Sequence, residues 1–142
     1  MNLNTDFVNK LRSSGLRPTK QRLKICEVLF NTEKTFHFTI NDLSKIIREK
    51  LGEKISLATV YNTVHSFKKK GYLKEISINS DKSYFDTNTS VHHHFFDEDT
   101  NELIDCNEND IDSINVKNNI TGKKINSVEV LIKVASDNQN QN

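Results

Sequence analysis

Three consecutive histidines, His92, His93 and His94, lie in the interior of the 142-residue chain, followed at once by Phe95 and Phe96. Imidazole is the commonest protein ligand for divalent zinc, iron and manganese, and hard carboxylates beside it favour iron and manganese over thiol-seeking ions. Asp86, Asp97, Glu98, Asp99, Glu102, Asp105 and Asp112 supply such carboxylates nearby. In an extended strand side chains alternate, so His92 and His94 share one face while His93 points to the other, and one triplet can serve two sites. The plain alternative is a solvated histidine cluster in a loop; the sharper one is a metal or haem ligand set. The triplet is internal and only three residues long, which excludes a purification tag. Cys26 and Cys106 are the only cysteines and form no paired motif, so neither a disulfide framework nor a four-cysteine structural zinc site can be built within one chain. Cys26 falls on a helical apolar face with Leu23, Leu29 and Phe30, where it serves as a small buried hydrophobe.

A second chemistry is written between Ser56 and Leu73. Leu57, Val60, Tyr61, Val64 and Phe67 recur at three- and four-residue spacing and are expected to face a core. Ala58, Thr59, Asn62, Thr63 and Ser66 cover the other side with short, uncharged side chains that could approach bases closely. Ser56 suits an N-cap, Gly71 a left-handed helix end, and Lys68, Lys69 and Lys70 the last turn. An ordinary amphipathic surface helix would look similar, but the charge distribution favours a helix that enters a DNA groove. Residues 1–74 hold 15 Lys and Arg against 6 Asp and Glu, giving +9, and residues 75–142 hold 5 against 13, giving −8, which together make the overall +1. A basic half beside an acidic half implies one region that meets phosphates and another that does not.

The elements that position these residues follow from periodicity. Helices are expected over 6–14, 19–30 after Pro18, and 39–50 with a Thr39 cap and Asp42 three residues later. With the 56–73 helix this gives a helix-turn-helix order. The runs YLKEISI and KSYFD flank Asn79-Ser80-Asp81-Lys82, a four-residue hairpin loop that would form a wing with Lys82 at its tip near a phosphate. The polar stretch 87–90 reads as a hinge. Beyond it a short strand over 103–105, a short helix over 110–117, a turn over 119–122 and an alternating strand over 128–134 suggest a small sheet whose apolar face a twin subunit could cover. The fold class is therefore α+β, an N-terminal winged helix-turn-helix domain over 1–86 followed by a small α/β dimerisation domain over 87–135. The Asn- and Gln-rich tail, 136–142, is expected to be disordered. No apolar run reaches the roughly 20 residues needed to cross a bilayer, and the N-terminus lacks the apolar core of a signal peptide, so no membrane role and a cytoplasmic location are expected.

GLRPTKQR (15–22), HFTINDL (37–43), SLATVYNTVHSFKKKGYL (56–73), YFD (84–86) and HHHFF (92–96) stand in the order and approximate spacing of the ferric uptake regulator family. The resemblance spans roughly residues 7–133 and within the family is closest to the iron response regulator branch. It implies a winged-helix DNA-binding domain, a dimerisation domain, and a metal- or haem-responsive repressor of iron homeostasis genes, acting as a homodimer on palindromic AT-rich operator DNA. By the same resemblance a regulatory metal site falls on His37, Asp86 and His94, with Phe96 where a further histidine is usual. A second site retains His93 and Asp112, while Phe95 and Asn126 occupy other ligand positions. The paired Cys-x-x-Cys of many members is replaced by residues 97–101, so the structural zinc is not expected. In the branch the triplet His92, His93 and His94 is associated with haem, although the Cys-Pro haem motif is missing, since the only proline, Pro18, follows Arg17.

For DNA, Tyr61 matches a tyrosine that packs near phosphate and thymine methyls. Asn62 replaces the arginine usual in the family; asparagine pairs with adenine where arginine favours guanine, which predicts an altered operator. Arg17 matches a basic position that reaches the minor groove, Thr59 lies on the short-chained face of the recognition helix, and Thr19, Lys20, Arg22 and Lys69 are expected at phosphates. The expected cofactor is a divalent ion, iron or manganese with zinc as the alternative, or haem. One ion shared by His37 and His94 would fix the angle between the domains and so the spacing of the paired recognition helices. A dimeric winged-helix protein that ignores ligands and a peroxide- or manganese-responsive regulator are the competing readings. A metalloenzyme is disfavoured, because no nucleophile, phosphate loop or general-base motif accompanies the histidines; no small-molecule substrate is expected.

Overall fold

In the computed structural model, which describes residues 2–138, Asn2 opens the first helix by accepting a hydrogen bond from the Asn4 amide at 3.0 Å. Helix α1 (Leu3–Ser13) buries Phe7 and Leu11. Helix α2 (Lys20–Phe30) is capped by Thr19 and buries Ile25, Cys26, Val28 and Leu29. A two-residue strand β1 (His37–Phe38) leads into helix α3 (Ile40–Leu51), whose start is a reciprocal capping box: the Asp42 amide donates to Thr39 Oγ1 at 3.1 Å and the Thr39 amide to Asp42 Oδ2 at 3.0 Å. Helix α4 (Leu57–Lys70) is capped by Ser56 and ends at Gly71 with φ +91°, a left-handed conformation that a Cβ would strain. Val60, Val64 and Phe67 of α4 close on Leu43 and Ile47 of α3 and on the buried face of α2. Each such side chain contributes about 1.5–3 kcal/mol by leaving water.

Strands β2 (Lys74–Ser77) and β3 (Ser83–Asp86) form the expected hairpin, and β1 adds to the far side of β3, giving an antiparallel sheet of order β1-β3-β2. In the loop the Asp81 amide donates to Asn79 Oδ1 at 2.9 Å, a local turn that relieves the backbone of other partners. The Phe38 and Phe85 rings, paired across β1 and β3, stack at 6.1 Å and join the helical core.

The chain divides between Thr89 and Ser90. The second unit is a three-stranded sheet of order β5-β4-β6, from β4 (His94–Asp97), β5 (Glu102–Asp105) and β6 (Leu131–Val134). β4 and β5 are antiparallel and joined by a tight turn in which Asn101 adopts φ +59°, while β4 and β6 run parallel.

Three sequence expectations need correction. Leu57 and Tyr61 are not core residues: they are 52% and 51% exposed, and Thr63 takes the inward place. Thr63 tolerates full burial because its hydroxyl donates to the Thr59 carbonyl at 2.7 Å, so nothing polar is left unpaired. The helix expected over 110–117 is absent among the described residues; 106–130 carries turns but no regular element. That segment has only scattered apolar residues, and Asn107, Asn109 and Asp110 favour local turns over helix, as shown by the Asn107 amide donating to Asp110 Oδ2 at 2.8 Å. The last strand is also shorter than 128–134. Residues 139–142 of the polar tail lie outside the described residues.

Candidate metal centre and DNA-reading face

The register of the second unit builds a donor cluster. On β4 the buried positions alternate, so His94 lies on the same face as Phe96. Antiparallel pairing sets Leu103 opposite Phe96 and Asp105 opposite His94. His94 is buried, and its Nε2 lies 3.1 Å from Asp105 Oδ1. His92, two residues earlier on the same face, lies beside His94 with ring centroids 4.3 Å apart and planes tilted by 56°, and places its Nε2 3.5 Å from the same oxygen. Its Nδ1 lies 2.8 Å from the Ser90 carbonyl, which can only accept, so Nδ1 donates there and Nε2 is the ring nitrogen left facing Asp105. The three donor atoms lie within 4.8 Å of one another.

Two imidazoles and a carboxylate suit iron, manganese or zinc. Donors held about 2.1 Å from one ion are separated by roughly 3.0–3.4 Å, close to the spacings to Asp105. The residues present therefore fit a divalent ion.

The other histidine of the triplet does different work. His93 Nδ1 accepts a hydrogen bond from the Val130 amide at 2.9 Å, and its carbonyl accepts from the Cys106 amide at 2.9 Å. It ties β6 and the end of β5 to β4. Asp112 is exposed in the irregular segment and, like His93, is not part of the His92, His94 and Asp105 cluster.

In the first unit His37 and Asp86 are direct partners across β1 and β3. Asp86 is 1% exposed, and its Oδ1 accepts from the Asn88 amide at 2.8 Å; His37 meets the Tyr84 ring edge-on at 6.0 Å. A buried carboxylate requires strong partners, and an imidazole on the adjacent strand is of the right kind.

Helix α4 presents Tyr61, Asn62 and Lys69 outward, while Thr59 is half-buried and its Oγ1 accepts from Ser56 Oγ at 2.9 Å; a surface groove beside the helix is lined by Leu16, Arg22, Tyr61, Asn62, His65, Ser66 and Lys69. Arg22 Nη1 donates to the Arg17 carbonyl at 3.0 Å, while Arg22 Nε is buried without a hydrogen-bond partner. Thr19 uses its hydroxyl to cap α2, and Arg17 and Lys20 are exposed at the entry to that helix. Arg22, Tyr61, Asn62 and Lys69 are thus brought together; Arg17, Thr19 and Lys20 lie before them on the chain, outside the groove lining.

Sequence reasoning missed His92 and Asp105 as members of one donor set, and left His65 as either a DNA contact or a plain polar residue. The signal for Asp105 was the hairpin register opposite His94, which depends on the turn at residues 98–101. For His65 it was its four-residue spacing from Tyr61.

A winged hairpin behind a helix-turn-helix, with a histidine–carboxylate cluster in a separate sheet, defines a DNA-binding regulator able to hold a metal. Sequence comparison is more specific: the model of the ferric uptake regulator family matches residues 13–134, and the chain belongs to that family. It is 32% identical over 121 residues to the peroxide operon regulator of Bacillus subtilis, covering 84% of this chain and 81% of that protein. It is 35% identical over 111 residues to the ferric uptake regulation protein of Yersinia pestis, covering 78% and 74%. The crystal structure of the Vibrio cholerae ferric uptake regulator shares the fold, with a TM-score of 0.68 at 24% identity over 91% of this chain and 98% of that one. A Pseudomonas aeruginosa ferric uptake regulator solved with manganese gives 0.63 at 21% identity, over 92% and 97%. The protein is accordingly a metal-responsive transcriptional regulator of this family.

Proposed function

We propose that the protein is an iron-homeostasis repressor whose affinity for palindromic AT-rich operators is set by a divalent ion, iron or manganese, bound through His94, His92 and Asp105. The observation that carries this reading is the convergence of two imidazoles and a carboxylate on one face of the second sheet. By resemblance to the family, His37 and Asp86 contribute ligands from the DNA-binding unit. Their pairing across β1 and β3 supports that role, because one cation would neutralise the buried carboxylate and engage the imidazole. The ion supplies a cross-link between side chains; the protein supplies their orientation, through the Ser90 carbonyl at His92 and the β4–β5 register at His94.

The second unit would dimerise. Ile114, Val116, Ile120 and Ile125 leave 41–73% of their surface in water, an apolar display that a twin subunit would cover. The dimer sets two α4 helices on one duplex. Arg17 then serves the minor groove, Tyr61, Asn62 and Thr59 the major groove, and Thr19, Lys20, Arg22 and Lys69 the phosphates.

HHHFF and Asn62 after Tyr61 support the iron response regulator branch, where haem at His92, His93 and His94 is the competing ligand. The geometry favours a small ion, because His92 and His94 converge on Asp105 whereas His93 is spent on Val130. The decisive experiment is metal analysis and visible absorption of purified protein, followed by operator binding with each ion, haem and peroxide. Metal-dependent operator binding without a Soret band supports the proposal. Binding unaffected by any of these would favour a ligand-independent regulator.

A further inference from the structure

We propose that His65 is a positioning residue for Tyr61 and so sets how strongly the protein distinguishes thymine from a base lacking its methyl group. The inference rests on the reading of Tyr61 as a major-groove contact. Tyr61 is 51% exposed, and an exposed aromatic side chain ordinarily loses rotamer freedom when it is fixed against a ligand, at a cost to binding. Here much of that freedom is already removed. His65, one helical turn further along the same face, lies against the Tyr61 ring with centroids 4.0 Å and planes 37° apart.

His65 is in turn held from behind. Its imidazole meets the Phe85 ring at 5.3 Å and 78°, an edge-to-face contact. Phe85 is 2% exposed and stacks on Phe38, which is 1% exposed. Tyr61, His65, Phe85 and Phe38 therefore form a continuous stack from solvent to core, with the half-buried imidazole as the spacer. Tyr61 is the most exposed of the four to DNA, with half-buried His65 beside it on the groove wall. A thymine C5-methyl is an apolar knob in the major groove, and an aromatic ring recognises it by being in van der Waals contact when the helix docks. Arg22 and Lys69 border the same groove but act on phosphates, so their contribution is independent of sequence.

The test uses full-length protein and a duplex selected by it from a random library, compared with the same duplex carrying uracil in place of each thymine in turn. At one or more positions the wild type should lose about fourfold in affinity, the worth of one buried methyl group. His65→Ala should bring that ratio near one while leaving the salt dependence of binding unchanged, and His65→Phe, which keeps a stacking ring, should restore it. If the space left by Ala loosens the packing on Phe85, His65→Gln replaces it: discrimination kept in Phe and lost in Gln supports the proposal, and equal ratios in the two overturn it. Full discrimination in His65→Ala together with its loss in Tyr61→Ala would overturn the role of His65 alone. Discrimination unmoved in Tyr61→Ala would instead refute the reading of Tyr61, and the proposal with it.

Discussion

Replacing His93 and His94 one at a time should separate two functions that adjacent, identical residues conceal. His94 is buried and points its Nε2 at Asp105 Oδ1 across 3.1 Å. His94→Ala removes one of the three donors in the second unit and leaves two, His92 and Asp105. Loss of a residue that merely orients a ligand typically costs 10–100-fold in metal affinity. Loss of the ligand itself should therefore cost at least about 100-fold, or roughly 2.8 kcal/mol at 1.4 kcal/mol per decade. His93→Ala removes a different contact: the Val130 amide loses its acceptor, His93 Nδ1, at 2.9 Å. An orphaned amide in a half-buried setting costs about 1–3 kcal/mol of stability, while manganese affinity should change by less than about threefold, since no donor of the cluster is touched. Calorimetric titration of chelator-stripped protein with Mn²⁺ gives the affinities, and urea melts of the metal-free variants give the stabilities. Equal loss of manganese affinity in both variants would refute this division of labour and return His93 to the ligand set.

Cysteine chemistry gives an independent check on burial. Burial pushes the Cys26 thiol up to about 12, against a smaller downward pull from the nearby Lys10 charge, and Cys106 is raised first by burial and then by Asp110 and Asp105. At pH 8 iodoacetamide should therefore alkylate Cys106 more slowly than a free thiol, and Cys26 only after unfolding; rapid native-state labelling of Cys26 by mass spectrometry would contradict the packing. The Glu75 carboxyl is held below its usual 4.5, chiefly by the hydrogen bond from Lys68, with Ser83 assisting against the cost of burial. A lowered folded value means that its stabilisation is complete above pH 4.5 and is lost as pH falls through the folded pKa. Because the pair, at 2.7 Å, is partly exposed, Glu75→Gln should cost under ~1 kcal/mol at pH 7 and flatten the acid limb of urea melts; a loss of several kcal/mol at neutral pH would show that this treatment is wrong.

The first unit was largely legible because its signals are local. Thr39 with Asp42, Ser56 and Gly71 mark helix ends by capping chemistry that needs no tertiary context, and the Asn79–Lys82 turn announces its hairpin. Periodicity misled at the surface of α4, where apolar character predicted burial for Leu57 and Tyr61. In the fold Tyr61 borders the groove and Leu57 stays exposed at the start of α4, while Thr63 fills the core by bonding its own helix. The second unit was less legible. Alternation correctly put His92 and His94 on one face, but the choice of Asp105 among many carboxylates depends on strand register, and register depends on a turn whose key residue, Asn101, is not glycine. The short helix expected over 110–117 is overridden by the Asn- and Asp-rich turns of that segment.

The central claim is that an ion held through His94 governs DNA affinity. It is tested most directly by fluorescence anisotropy of wild type and His94→Ala on a selected operator, each titrated after chelation and again with Mn²⁺. The account predicts that the ion changes the wild-type dissociation constant by at least about fivefold, the lower range of allosteric coupling, that operator DNA changes ion affinity by the same factor, and that both effects vanish in His94→Ala. Superimposable wild-type isotherms with and without the ion, at concentrations where calorimetry shows it bound, would contradict the account.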